Sequence, residues 1–253
     1  MPVPYLRTLT ARERSRKANL HLAGFLAFTA GAANAGGFLA VHQYTSHMSG
    51  IVSAMADGLA LGQTGLVLDG LGALLSFISG AAVSAVLINW ARRQDLQSQY
   101  AIPLLVEAVL LVCFGVLGQN LERHEWLFVP VTVSLLCFVM GLQNAMVTKI
   151  SNAEIRTTHV TGMITDIGIE VGKLLYWNRE GASQHAPVYG NRDKIRMLGS
   201  LVALFFVGGV AGALGFKHVG FMAAVPLAFL LTLLAVIPVA DDLRGQLAGA
   251  RKR

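Results

Sequence analysis

Six stretches of the chain, residues 20–41, 66–90, 101–119, 126–148, 197–216 and 219–240, contain only two of its Asp, Glu, Lys and Arg residues, namely Asp69 and Glu107. At about 1.5 Å of rise per residue, a helix over each stretch is long enough to cross a hydrocarbon core about 30 Å thick. Charged residues make up 13% of the chain, whereas soluble domains carry about 25%. A transmembrane β-barrel would need alternating strands of about ten residues. The apolar runs at 201–207 and 229–236 break that alternation. The sequence predicts an all-α, polytopic helical membrane protein.

The chain also repeats itself. Gly31-Ala32-Ala33-Asn34 is followed by Thr45-Ser46-His47-Met48-Ser49-Gly50, and Gly141-Leu142-Gln143-Asn144 by Thr157-Thr158-His159-Val160-Thr161-Gly162. Further on, Phe77-Ile78-Ser79-Gly80 matches Phe205-Phe206-Val207-Gly208. The three anchors keep their order, and an extra polar loop near 178–194 accounts for the wider spacing in the second copy. Collinear anchors that include an Asn and a His indicate internal duplication. Each copy reads as a span, a short His-led helix, and two more spans. The two short helices, 47–62 and 159–175, are the least apolar and are expected to be non-spanning or broken.

Loop charges arbitrate the topology, because Lys and Arg collect on the cytoplasmic side. With six spans and both termini inside, only Arg123 and Lys217 fall outside. With eight spans, Arg92, Arg93, Lys149, Arg156 and Lys217 do. Six is the better fit, and three spans per copy would set the copies upside down to each other. The expected organisation is a basic cytoplasmic segment at 1–19, a first membrane repeat at 20–119, a second, inverted one at 126–240, and a basic tail at 241–253. The Arg-rich start, apolar run and Ala33-Asn34-Ala35 imitate a secretory signal. Cleavage is not expected, because the residues around Asn34 recur later in the chain.

Thr45-Ser46 and Thr157-Thr158 are placed to cap the short helices, and Gly50 and Gly162 to let a backbone or ligand approach their first turns. A capped helix start offers free N–H groups and a positive dipole end to an anion. Either these motifs form a substrate site with His47 and His159, or the histidines merely cap and pack. Asn34 and Asn144, amides within apolar spans, either bond across to the opposite copy's short helix and line a pathway, or serve as interhelical glue.

His159, Asp166, Glu170 and Lys173 fall on one helical stripe, a polar seam facing water or a cavity. Asp166 and Glu170, together with Glu107, deep in a spanning stretch, are candidates for proton coupling. Gly208, Gly209 and Gly212, with the pairs Gly58/Gly62 and Gly168/Gly172, read as close-packing surfaces that also leave room for a homo-oligomer.

Other classes recede. Cys113 and Cys137 lie within apolar stretches and suggest neither a disulfide nor a metal site. The net charge of +6 is explained by basic loops beside spans rather than by nucleic acid. No metal-protease His spacing, Gly-x-Ser-x-Gly elbow or phosphate loop is present. No enzyme activity, cofactor or metal is expected.

The two His-containing motifs, the Asn34-Ala35-Gly36-Gly37-Phe38 segment, and Thr165-Asp166-Ile167-Gly168 closely resemble the YoaK-type family of bacterial integral membrane proteins, over roughly 20–240. The resemblance implies a multi-pass protein of the bacterial inner membrane and lends no activity. In that family an acidic residue is common where Asn34 stands, and Asn often stands where Ile51 does. Position 34 is therefore not read as a proton carrier. The expected function is a small-solute secondary transporter or permease working in the lipid bilayer, its site between the repeats and an anion favoured. The alternative is a non-transporting membrane scaffold or accessory protein.

Overall fold

The computed structural model describes residues 5, 9, 15–41, 43–121, 125–150, 159–178 and 187–250. Among these residues it contains helices and no strand. The helices are α1 (Arg16–Val41), α2 (Met48–Ala60), α3 (Thr64–Arg93), α4 (Ala101–Leu121), α5 (Glu125–Ile150), α6 (Val160–Leu175), α7 (Arg192–Val219) and α8 (Ala224–Ala250), with a 3-10 turn (Gly220–Ala223) joining the last two. Six helices run 21 to 30 residues, while α2 and α6 have 13 and 16. The apolar stretches read from the sequence fall on the six long helices, the last beginning at Val219, the end of α7, and running through the turn into α8. Four continuous segments, Arg16–Leu39, Thr64–Arg93, Val129–Ile150 and Arg192–Arg244, are long and apolar enough to cross a membrane. The last of these holds both α7 and α8.

Local chemistry sets the element ends. Gly62 (φ 70°) closes α2 and Gly220 (φ 67°) closes α7; both adopt left-handed backbone that a side chain would strain. Pro103 and Pro226 fall in the first turns of α4 and α8, where a missing N–H costs the helix nothing.

On α3 the packing is inside-out by the standards of a soluble protein. Helix α3 buries Gly70, Ala73, Gly80 and Ser84 and, near its end, Ile88 and Ala91, and exposes Leu68, Leu75, Ile78, Val86 and Trp90. Large apolar groups turned outward and small ones inward are what a lipid solvent selects, because apolar burial drives nothing there and close backbone approach does.

Three helix pairs organise the bundle: α1 with α7, α3 with α5, and α4 with α8. In the first, a Cβ at Gly31 would strike the carbonyl of Phe205, and one at Gly208 would strike that of Phe28. In the second, Gly80 meets the carbonyl of Phe138 and Gly141 that of Phe77. The same Phe-x-x-Gly device thus serves both crossings, allowing Cα–H to carbonyl approach. Residue numbers rise together in each pair. Gly24 lies against Leu204 and Gly36 against Phe216, while Lys149 Nζ donates to Ala85 O (3.4 Å) and Asn89 Oδ1 (3.1 Å) beyond the Gly80 crossing. Both pairs are parallel.

The third pair is antiparallel. Gly115 and Gly118 of α4 pack on Phe221 at the head of α8. At the other end, the Asp242 carboxylate accepts from the amides of Gln97 (3.1 Å) and Ser98 (2.8 Å), just before α4. The core runs between these pairs, with Leu22, Leu26, Leu104, Leu111, Met140 and Leu231 fully buried.

Not every small-residue pair packs. Among the described residues of this single chain, a Cβ at Gly62, Gly168 or Gly172 would meet open space, so these glycines serve no close contact within it. Helix α6 turns Met163 and Glu170 inward, leaving Gly168 and Gly172 on its free side.

Candidate functional site

The two short helices begin alike. His47 and His159 are their N-cap residues, with backbone angles of φ −96°, ψ 71° and φ −86°, ψ 56°, and no side chain caps either helix. This corrects the capping role given to Thr45 and Ser46. The Ser46 amide (3.2 Å) and hydroxyl (2.9 Å) both donate to Asn34 Oδ1, which takes the serine away from the helix start. Thr45 is buried with no partner for its hydroxyl. Thr157 and Thr158 lie outside the described residues.

Gly50 and Gly162 also differ from expectation. What approaches each is the imidazole of the histidine three residues earlier. A Cβ at Gly50 would strike His47 Cδ2 and come 2.7 Å from Nε2; one at Gly162 would strike His159 the same way. The His-x-x-Gly spacing lets each ring fold back over the first turn of its own helix, which fixes its direction while leaving the residue exposed.

Both helix starts open onto one cavity of about 930 Å³, lined by His47, Met48 and Ser49 from the first half and His159, Val160 and Thr161 from the second. Asn34, Ser46, Asn144 and Thr148 add amides and hydroxyls, and Tyr44, Phe77 and Phe205 add aromatic faces. Among its described lining residues there is no Asp, Glu, Lys or Arg. The first amides of α2 and α6 have no carbonyl one turn back to bind, and each helix start carries about half a positive charge. Among the described residues the cavity therefore offers amide and hydroxyl donors and two positive dipole ends. A smaller cavity of about 380 Å³ shares Tyr44 and His47 with the first and adds Gly50 and Asp69.

Asn34 is bonded within its own half. The expectation that it reaches the opposite half's short helix is corrected, because the turn at 43–46 brings Ser46 back over the end of α1, where it donates to Asn34 Oδ1. Asn144 lines the cavity.

None of the three carboxylates lines the cavity. Asp166 meets Lys194 at 3.3 Å, and Glu170 meets Lys173 at 2.9 Å and Lys194 at 3.9 Å. Glu170, with a side chain 5% exposed, also accepts the Asn191 amide at 2.8 Å. That amide, then the Lys173 ammonium, holds its carboxyl below the usual carboxylate range. Of the seam on α6, His159 reaches the cavity and Asp166 stays exposed to 46%, while Asp166 and Glu170 also tie α6 to the head of α7, where the Asn191 side chain caps the helix through the Lys194 amide at 3.0 Å. Glu107 lies apart, 1% exposed on α4. Its Oε1 accepts from Gln143 Nε2 of α5 at 3.0 Å, and the same nitrogen donates to Thr29 Oγ1 of α1 at 3.2 Å. Sequence reasoning missed Gln143 and Thr29. Gln143 could have been suspected as a second amide beside Asn144 in an apolar span.

An all-helical bundle whose long helices are this apolar, and that exposes large apolar side chains along them, is a polytopic membrane protein. The chain belongs to the DUF1275 family, described as proteins of unknown function, whose model matches residues 22–237. It is similar to UPF0700 transmembrane protein YoaK of Bacillus subtilis (strain 168), with 27% identity over 164 residues, 63% of this chain and 70% of that protein. The resemblance read from the two His motifs is thereby met. No solved structure matches the chain.

Proposed function

We propose that the chain is a small-solute secondary transporter, a permease rather than an enzyme, built from two inverted three-span repeats with the site at their interface. The observation that carries this reading is the meeting of the first turns of α2 and α6, one from each half, on a single 930 Å³ cavity. Broken or short helices that converge where repeats meet are the usual way a transporter presents backbone amides to a solute.

Inversion is supported by direction. Helices α4 and α8 hold the same position in the two copies yet run antiparallel, whereas copies related without a flip would set them parallel. Six crossings give these directions and eight do not. The same count leaves 18 of the 20 Lys and Arg residues on one side, which speaks for a bacterial inner membrane with both termini cytoplasmic.

The solute class follows from the lining. Two helix starts, two imidazoles, two carboxamides and several hydroxyls favour a small anion such as a carboxylate or an inorganic oxyanion. Rocking one half against the other on the glycine crossings would expose the cavity alternately.

The test is uptake into proteoliposomes holding the purified full chain, with acetate, lactate, phosphate and sulfate as probes. A transporter loses flux in His47→Ala and His159→Ala while keeping its folded yield. A scaffold shows no flux in the parent protein and loses yield or nothing.

A further inference from the structure

The cluster of Thr29, Glu107 and Gln143 ties three helices together and carries an imbalance of donors and acceptors. Thr29 is 1% exposed, Glu107 1% and Gln143 0%. The two Gln143 N–H groups are spent on Thr29 Oγ1 and Glu107 Oε1, and the Thr29 hydroxyl donates to the carbonyls of Leu26 (3.1 Å) and Phe25 (3.2 Å). Two buried oxygens are left without a partner, Glu107 Oε2 and Gln143 Oε1. They belong to two side chains already bonded to each other, and both are acceptors unless the carboxyl carries a proton. Turning the carboxamide over does not help. It would set Gln143 Oε1 against Glu107 Oε1, again two acceptors that only a proton can join.

Among the described residues the charged neighbours do not supply a countercharge. On α1 the nearest described ionisable residue is His21, bonded to the Tyr5 hydroxyl at 2.8 Å. On α5 they are Cys137 and Lys149, the latter bonded to Ala85 and Asn89 of α3. Asp69, Arg92 and Arg93 lie toward the ends of α3, and Asp241, Asp242 and Arg244 beyond Pro238 on α8; the 3-10 turn has none. An ionised carboxylate with one neutral hydrogen bond, inside a bundle that faces lipid, is among the costliest groups a protein can hold.

We propose that Glu107 is a proton-binding site, a neutral carboxylic acid that donates from Oε2 to Gln143 Oε1 while accepting from Gln143 Nε2 at Oε1. Release breaks the Oε2–H bond, leaves the electron pair on the carboxylate and hands the proton to water. It also breaks one of the two bonds by which α4 holds Gln143. On the transporter reading given above, this is the coupled proton, because Gln143 precedes Asn144 of the cavity wall on α5. The protonation itself rests only on the cluster.

Infrared difference spectra of the full chain in liposomes across a pH titration test it. A carboxylic-acid carbonyl band is expected at neutral pH in potassium chloride, absent in Glu107→Gln and shifted to higher frequency in Gln143→Leu. Labelling the wild-type chain with 13C-glutamate must move the band, a check that does not depend on any variant folding. Absence of the band in the folded wild type, its persistence unchanged in Glu107→Gln, or an unmoved band on labelling overturns the proposal. Loss of the band when sodium replaces potassium also overturns it, by assigning the two oxygens to a metal cation. No solute is needed, so failure of the transporter reading leaves this result standing. The coupling role fails separately if Glu107→Gln still accumulates solute under an imposed pH gradient.

Discussion

The imidazole of His47 lies folded over Gly50, three residues along the same chain, so closely that a methyl group there would strike the ring. His47 is exposed and its ring can swing away, so Gly50→Ala should redirect the imidazole at little cost in stability. We expect solute affinity to fall about tenfold, about 1.4 kcal/mol, with the melting temperature within a degree or two of the parent. Gly162→Ala should do the same through His159. Equilibrium binding alongside thermal melting separates the two effects, and an unchanged affinity would remove the histidines from the site.

The glycine crossings answer differently. A Cβ at Gly80 runs into the backbone of Phe138, and backbone cannot step aside as a side chain does. Gly80→Ala should lower stability by about 1–3 kcal/mol, and Gly208→Ala likewise. Gly168→Ala, facing open space, should stabilise by about 0.5–1 kcal/mol through helix propensity. Thermal unfolding in one detergent compares all three.

Glu170 gives a pH signature. The Asn191 amide, then Lys173, depress its folded pKa. The stability it adds is therefore present above its unfolded value, about 4.3, and drains away as pH falls through the lower folded value. Glu170→Gln should melt below the parent at pH 7, and the gap should close on acidification below about pH 4. Melting curves from pH 7 to pH 3 check it, and a gap that widens with acid would contradict the ion cluster.

The proposed six-crossing topology places Tyr189 and Lys217 on opposite faces of the membrane. In intact cells a membrane-impermeant maleimide should label Lys217→Cys and leave Tyr189→Cys unlabelled until the cells are opened. Both positions are exposed, so access decides the outcome. Labelling of Tyr189→Cys from outside would overturn the topology.

The six long helices were legible because a long apolar helix writes itself as a stretch without charge, and the likeness of the two His-led helices because the motif recurs in order. The capping was not. Thr45 and Ser46 look like caps in one dimension, but Asn34 lies twelve residues before Ser46 and claims it, a contact set by how the chain turns after α1. The polar stripe on α6 was read correctly as a stripe, yet its direction depends on Lys194, beyond a loop whose path no local rule gives. Glu107 stood out as a lone carboxyl, whereas its partners on α1 and α5 could be found only once the three helices were packed.

The account depends on His47 and His159 serving one site, and a double-mutant cycle on ligand-induced stabilisation tests this most directly. With a stabilising anion found among the uptake probes, the shift in melting temperature would be measured for the parent, His47→Ala, His159→Ala and the pair together. One shared site predicts that each single substitution removes most of the shift and that the double removes little more. Independent, additive losses, or a shift that survives both substitutions, would contradict it.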